Sequence, residues 1–197
     1  MEENRVLETI KKRRSVRQYK PDQVAEDELQ AVLEAGRCAP SGGNNQTSHI
    51  LVIQNKEVLE ELKELARLEF AKMEIQEGMY KSLRSTILKS RREGYDFTYG
   101  APTLIVLANR KGYGNAMADC TVALENMMIA AVSLGLGSCY INQPHWLDEN
   151  LSVRAFFLHL GMKEDETICC ALALGYPRQK GGMPELLRTG NPVTYIK

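Results

Sequence analysis

The sequence has no Cys-x-x-Cys pair, three histidines (His49, His145, His159), a single tryptophan and no excess of either charge. Each scarcity excludes something. The five cysteines, Cys38, Cys120, Cys139, Cys169 and Cys170, keep no recurring spacing. Neither a zinc site nor a disulfide framework is expected, and a reducing, cytoplasmic setting fits such cysteine usage. Twenty-five basic residues balance 25 acidic ones, which argues against a nucleic-acid partner held by bulk charge. No apolar segment of the signal-peptide kind stands near the first residues. There is no internal repeat and no low-complexity run. The longest apolar stretch, "NAMADCTVALENMMIAAVSLGLG" (115–137), contains Asp119, Glu125 and Asn126. Such groups are costly in hydrocarbon, so the stretch reads as a core helix buried on most sides rather than a membrane span.

What is present suits one domain over 1–197, since 44% of the residues are hydrophobic and that is enough for a sizeable core. Val6, Leu7 and Ile10 mark a first helical face, running to about Arg13. Residues 15–19 read as extended, and Leu29, Val32 and Leu33 mark a helix over 26–36. "HILVIQ" (49–54), "TLIVLAN" (103–109), "SCYIN" (138–142) and "ICCALALGYP" (168–177) read as strands. Helices are expected over 57–77, 115–134 and 147–159, with short helices and a mobile excursion over 78–100. "VTYI" (193–196) reads as a short terminal strand. The order gives a sheet with helices on its faces. An exposed apolar strand is a liability unless paired. The tail 184–197 is therefore expected to wrap a partner subunit.

Six of the ten residues in "KKRRSVRQYK" (11–20) are basic. Lys11 and Lys12 need no more than a helix C-terminus, where cations sit well. Arg13, Ser15 and Arg17 alternate, and on an extended chain residues two apart point the same way. Two guanidiniums and a hydroxyl would then converge on one small anion, and guanidiniums suit phosphate. Three further loops add to this. "PSGGNNQ" (40–46) offers a hydroxyl, amides and glycines that let a backbone approach a ligand. "GLGSCYINQ" (135–143) runs a helix end into a strand that ends in amides. "LGYPRQK" (174–180) ends a strand and supplies Arg178 and Lys180. One planar ligand bearing a phosphate would explain all four.

The chain also resembles the FMN-dependent nitroreductase family. The matching segments are "RRSVRQY" (13–19), "APSGGNNQ" (39–46), "LENMMIAAVSLGLGSCYI" (124–141) and "LGYP" (174–177), in the family's order and spacing. The resemblance implies an α+β fold, with a central mixed, mainly antiparallel sheet flanked by helices. It implies an intertwined homodimer with FMN at the interface. It assigns Arg13, Arg14, Ser15 and Arg17 to the phosphate and ribityl chain. Pro40, Ser41, Gly42, Asn44 and Gln46 match the loop that packs on the flavin from the other subunit. Tyr140, Ile141 and Asn142 match the strand end beside the isoalloxazine. Lys180, or else Arg178, would be a further phosphate contact. Where the family's Asn-x-Gln loop commonly continues Pro-Trp, this chain has Thr47-Ser48.

The chemistry implied is hydride transfer from NADH or NADPH through FMN to a small acceptor such as a nitroaromatic or quinone. The flavin carries the reaction, so no protein acid, base, nucleophile or metal is expected. Cys139 is read as packing. The segment 78–100 would be a lid, with Tyr95, Phe97 or Tyr99 stacking on the acceptor. Other flavin chemistry on the same fold (reductive dehalogenation or flavin destruction) and a non-enzymatic flavin or nucleic-acid binder remain as alternatives.

Overall fold

The computed structural model describes residues 4–179 and 188–197. Eleven elements follow in order: α1 (Arg5–Lys12), α2 (Glu26–Arg37), β1 (His49–Ile53), α3 (Lys56–Lys72), α4 (Lys81–Ser90), β2 (Thr103–Arg110), α5 (Ala116–Ser133), β3 (Gly137–Ile141), α6 (Gln143–Trp146), α7 (Leu151–His159) and β4 (Glu166–Gly175). A single 3-10 turn, Gly42–Asn44, precedes β1. Asn4, Asn55 and Asn150 cap α1, α3 and α7, each side chain accepting from two N–H groups of the first turn. This is the role for which asparagine suits helix starts.

The sheet order is β1-β2-β4-β3, and every neighbouring pair of these strands is antiparallel. Among the described residues, parallel pairing enters through one bridge, Ser15 to Ser138. β2 and β4 are the inner strands, and their apolar runs are buried on both faces. Leu104, Val106 and Ala108 join a core with α3 and α7 residues such as Leu62, Phe70 and Phe157. Ile105 and Leu107 join a second core with Val32 of α2 and with Leu124 and Met127 of α5. A bulge lies between Leu107 and Ala108, opposite Cys169. The extra residue breaks the two-residue alternation, and Cys169 and Cys170 both join the α5 side.

Three expected elements change their bounds or form. Helix α3 stops at Lys72, because Met73 turns extended and Met73, Ile75 and Met79 pack on the core beyond the helix. The helix expected over 147–159 begins only at Leu151, where Asn150 caps it; residues 147–149 are turn, and there Asp148 accepts the Ile168 N–H at 2.8 Å. "VTYI" forms no strand: it pairs with nothing described, and Ile196 is 97% exposed.

The segment 78–100 is tied into the fold. Ile87 and Phe97 are fully buried, and burying a side chain of this size contributes about 1.5–3 kcal/mol. Phe97, one of three rings expected to stack on an acceptor, packs in the core at 1% exposure. Helix α5 is long and apolar enough to cross a membrane by length and composition. It packs one side on the sheet and α2, while Met117 and Val122 on the other side are each 40% exposed. Within this chain it is therefore buried on one side, not on most.

Candidate active site

The basic segment is stitched to the sheet at both ends. The Val16 N–H donates to the Ser138 carbonyl at 2.9 Å. A Cβ on Gly137 would come within 2.9 Å of Val16, so glycine lets the segment lie close against β3. The Tyr19 hydroxyl donates to the Val16 carbonyl at 2.7 Å and reaches that of Ala173 at 3.3 Å. Burial pushes the Tyr19 phenol far above its usual value, so it stays a neutral donor. The Lys20 N–H donates to the Tyr176 carbonyl at 2.9 Å, and the Arg178 N–H to that of Gln18 at 3.0 Å.

The expected alternation is present in outline and not in detail. Val16 packs on the core and Tyr19 is buried. Arg17 is exposed, its guanidinium 5.8 Å from the centre of the Tyr99 ring. Arg13 Nε lies 3.5 Å from Glu125 Oε1 on α5. Arg14, grouped with the phosphate and ribityl contacts by the family resemblance, turns back and donates to the Lys11 and Arg13 carbonyls at 2.7 Å each. It satisfies carbonyls that the end of α1 leaves open. Buried Cys139 sits among Arg17, Ser15 and Arg13. Burial raises its thiol more than those neighbours lower it, which keeps it protonated and a poor nucleophile.

A cavity of about 680 Å³ opens in front of Arg17. Tyr140 and Asn142 from the end of β3 line it, with Tyr99, Trp146 and the polar side of α4. Burial, then proximity to Cys170, pushes the Tyr140 phenol up to about 12. Ile141 is 2% exposed and packs in the core, and it is not among the residues lining the cavity. A small network closes one edge. Gln143 Nε2 donates to Thr86 Oγ1 and Tyr95 Oη at 3.3 Å each, and the Tyr95 hydroxyl donates to Thr86 Oγ1 at 3.4 Å.

The loop 40–46 does not line that cavity. Pro40, Ser41 and Gln46 line a separate one of about 220 Å³, with Asp119 and Ala123 of α5. The loop is held in a costly conformation. Gly43, Asn44 and Gln46 have φ of 59°, 54° and 50°, and the left-handed region disfavours side chains other than glycine, asparagine or aspartate. A latch holds it. Asp119, 6% exposed, accepts the Gly42 N–H through both oxygens at 3.1 and 3.3 Å. The Tyr113 hydroxyl lies 3.0 Å from Asp119 Oδ2 and 3.2 Å from the Gly42 carbonyl. Within the loop the Gln46 N–H donates to Ser41 Oγ at 3.0 Å, and Gln46 Nε2 to Asn44 Oδ1 at 3.1 Å.

The described residues thus bring Arg17, Tyr140 and Asn142 to one cavity and leave the amide loop at another. Arg178 stands beside the basic segment, and Lys180 lies outside the described residues. Asp119 and Tyr113 did not emerge as site residues from the sequence, and α4 did so only within the expected lid 78–100. The available signal for Asp119 was a carboxylate in the first turn of an otherwise apolar helix.

Comparison with known proteins gives the family and the fold. The model of the nitroreductase family matches residues 10–176. A crystal structure of a nitroreductase with bound FMN from Bacteroides fragilis NCTC 9343 superimposes with a TM-score of 0.88 at 39% identity, over 99% of this chain and 100% of that one. A nitroreductase with bound FMN from Desulfitobacterium hafniense DCB-2 gives 0.83 at 28% identity, over 99% and 100%. An FMN reductase (NAD(P)H) of Bacillus subtilis is 35% identical over 63 residues, 32% of this chain and 25% of that protein. With the family model spanning both the basic segment and the end of β4, this chain belongs to the nitroreductase family.

Proposed function

We propose that this protein is an FMN-dependent oxidoreductase. It takes a hydride equivalent from NADH or NADPH and delivers it to a nitroaromatic, quinone or similar small acceptor, and it works as a homodimer in the cytoplasm. The observation that carries the reading is the division of the candidate site. Arg17, Tyr140 and Asn142 share one cavity, and the amide loop 40–46 faces another. A second copy supplying its own loop would complete a cleft that one chain leaves half built. The exposed apolar face of α5 and the exposed Val193, Tyr195 and Ile196 of the tail support such a partner, because large apolar surfaces facing water mark interfaces.

The residues present fit a flavin mononucleotide. Arg17 carries an exposed guanidinium, Ser15 lies beside it, and buried Ser138 Oγ, in the bridge partner of Ser15, has no hydrogen-bond partner among the described residues. Arg13, Ser15 and Arg17, with Arg178 or Lys180, would hold the phosphate. Tyr140 and Asn142 would border the ring. Pro40, Ser41, Gly42, Asn44 and Gln46 of the partner would cover it. FMN, when bound, supplies hydride chemistry. The chain's residues orient it, neutralise its phosphate and shape the acceptor cavity, and α4 with Tyr95 and Tyr99 acts as the cavity's outer wall or lid.

Anaerobic spectroscopy tests this. The purified protein should be yellow, should bleach on addition of NADH or NADPH, and should recover its colour when a nitroaromatic or quinone is added. A colourless protein that gains no flavin spectrum on reconstitution with FMN refutes the reading.

A further inference from the structure

The wall formed by α4 has a chemistry that flavin binding does not require. Lys81, Ser85 and Lys89 follow one another at four-residue spacing, which puts them on one helical face, and all three line the cavity. Arg92 and Arg17 line it as well. The opposite side of α4 holds Ile87 in the core, and Thr86 is tied to Gln143 and Tyr95. The cationic face is therefore fixed toward the cavity.

Two carboxylates, Glu93 and Asp96, stand on the same wall. Asp96 is already committed. Lys63 Nζ lies 3.3 Å from it, the Thr98 N–H and hydroxyl donate to it at 2.7 Å, and the Gly100 N–H at 2.8 Å. Arg17 is given to the phosphate, and among the described residues none of Lys81, Lys89 and Arg92 forms an ion pair. Aromatic rings face the same space: Tyr99 under Arg17, and Trp146, which meets Tyr80 edge-on at 6.1 Å. Lys81, Lys89 and Arg92 outnumber Glu93 on this wall; a cleft with an excess of one charge concentrates ligands of the other, and flat rings favour planar ones.

We infer that the acceptor cavity selects planar aromatic acceptors bearing a carboxylate or sulfonate, with Lys81 and Lys89 of α4 as the specificity-determining residues. The inference rests on the oxidoreductase reading and adds no redox step. It concerns which oxidised acceptor enters.

The test uses the flavin-loaded protein, NADH as reductant, and two acceptors of nearly one shape, para-nitrobenzoate and para-nitrobenzamide. The readout is the ratio of their kcat/KM values, charged over neutral. Exposed charge pairs are individually weak, so the double variant Lys81→Gln/Lys89→Gln should lower that ratio by roughly three- to tenfold. Added salt should lower it in the wild type and less in the variant. Lys111→Gln, on an exposed turn outside the cavity lining, should leave it unchanged. An unchanged ratio in the double variant overturns the inference. So does a loss confined to flavin reduction by NADPH relative to NADH, which would give the lysines to the reductant. Failure of both nicotinamides to bleach the wild-type flavin appears before any acceptor is added and sinks the underlying reading along with this one.

Discussion

Asp119→Asn isolates the latch on the amide loop. The substitution keeps the shape and replaces one carboxylate oxygen with an amide NH2. Both oxygens now accept, from the Gly42 N–H at 3.1 and 3.3 Å and from the Tyr113 hydroxyl at 3.0 Å. In the variant one of these contacts sets donor against donor. A hydrogen bond to a charged group contributes about 1.5–3 kcal/mol net. A carboxylate in the first turn of a helix, where Asp119 stands in α5, adds about 0.3–1 kcal/mol. The loss is then about 2–4 kcal/mol. It need not unfold the domain, because the loop can release first. Amide exchange over residues 40–46 should rise at least about 30-fold, each 1.4 kcal/mol being tenfold. Hydrogen exchange read by mass spectrometry on the peptide spanning this loop measures that directly. Tyr113→Phe removes the hydroxyl that meets both Asp119 and the Gly42 carbonyl. If the latch is one unit, the two losses fail to add by about 1 kcal/mol in a double-mutant cycle. FMN titration should show a parallel weakening, since the loop is proposed to cover the flavin. Unchanged exchange in Asp119→Asn, or strictly additive losses with Tyr113→Phe, refutes the latch.

Three other perturbations test separate parts of the molecule. Arg17→Ala should remove a charge-assisted bond worth about 1.5–3 kcal/mol and weaken FMN roughly ten- to a hundredfold. Riboflavin, which has no phosphate, should bind almost as before, and equal losses for both ligands exclude Arg17 as a phosphate contact. Truncation after Gly190 should give a less stable protein with less bound FMN, as read by thermal melting and flavin absorbance. A stable, fully active, yellow monomer would end the idea of a partner-wrapping tail. The third concerns pH. Burial pushes the Glu166 carboxyl up, but His49 at 2.8 Å and the Lys163 N–H at 2.9 Å outweigh it and hold the carboxyl below its usual 4.5. A lowered folded value stabilises the protein above the unfolded value, and that contribution is lost as pH falls through the folded one. The wild type should therefore lose melting temperature more steeply below about pH 4.5 than Glu166→Gln does, and parallel acid limbs would contradict this.

The sequence by itself determined what depends on near neighbours along the chain. The unbroken apolar runs of β2 and β4 marked strands, and the fold made them the inner ones, where burial on both faces needs no polar alternation. Segment 15–19 read as extended, and the structure leaves Arg17 exposed on it. The family resemblance, carried by four segments in register, gave the layered fold. Tertiary structure decided whatever depends on residues far apart in sequence. The bulge opposite Cys169 set two adjacent cysteines on one side of the sheet. The end of α1 took the Arg14 guanidinium that the family resemblance assigned to the phosphate and ribityl chain. Phe97 joined the core because α4 packs on α3. Asp119 reached back 77 residues to hold Gly42, a distance at which no periodicity informs. "VTYI" has the composition of a strand and stays exposed in the single chain, because a strand needs a neighbour to supply its hydrogen bonds and this chain offers it none among the described residues.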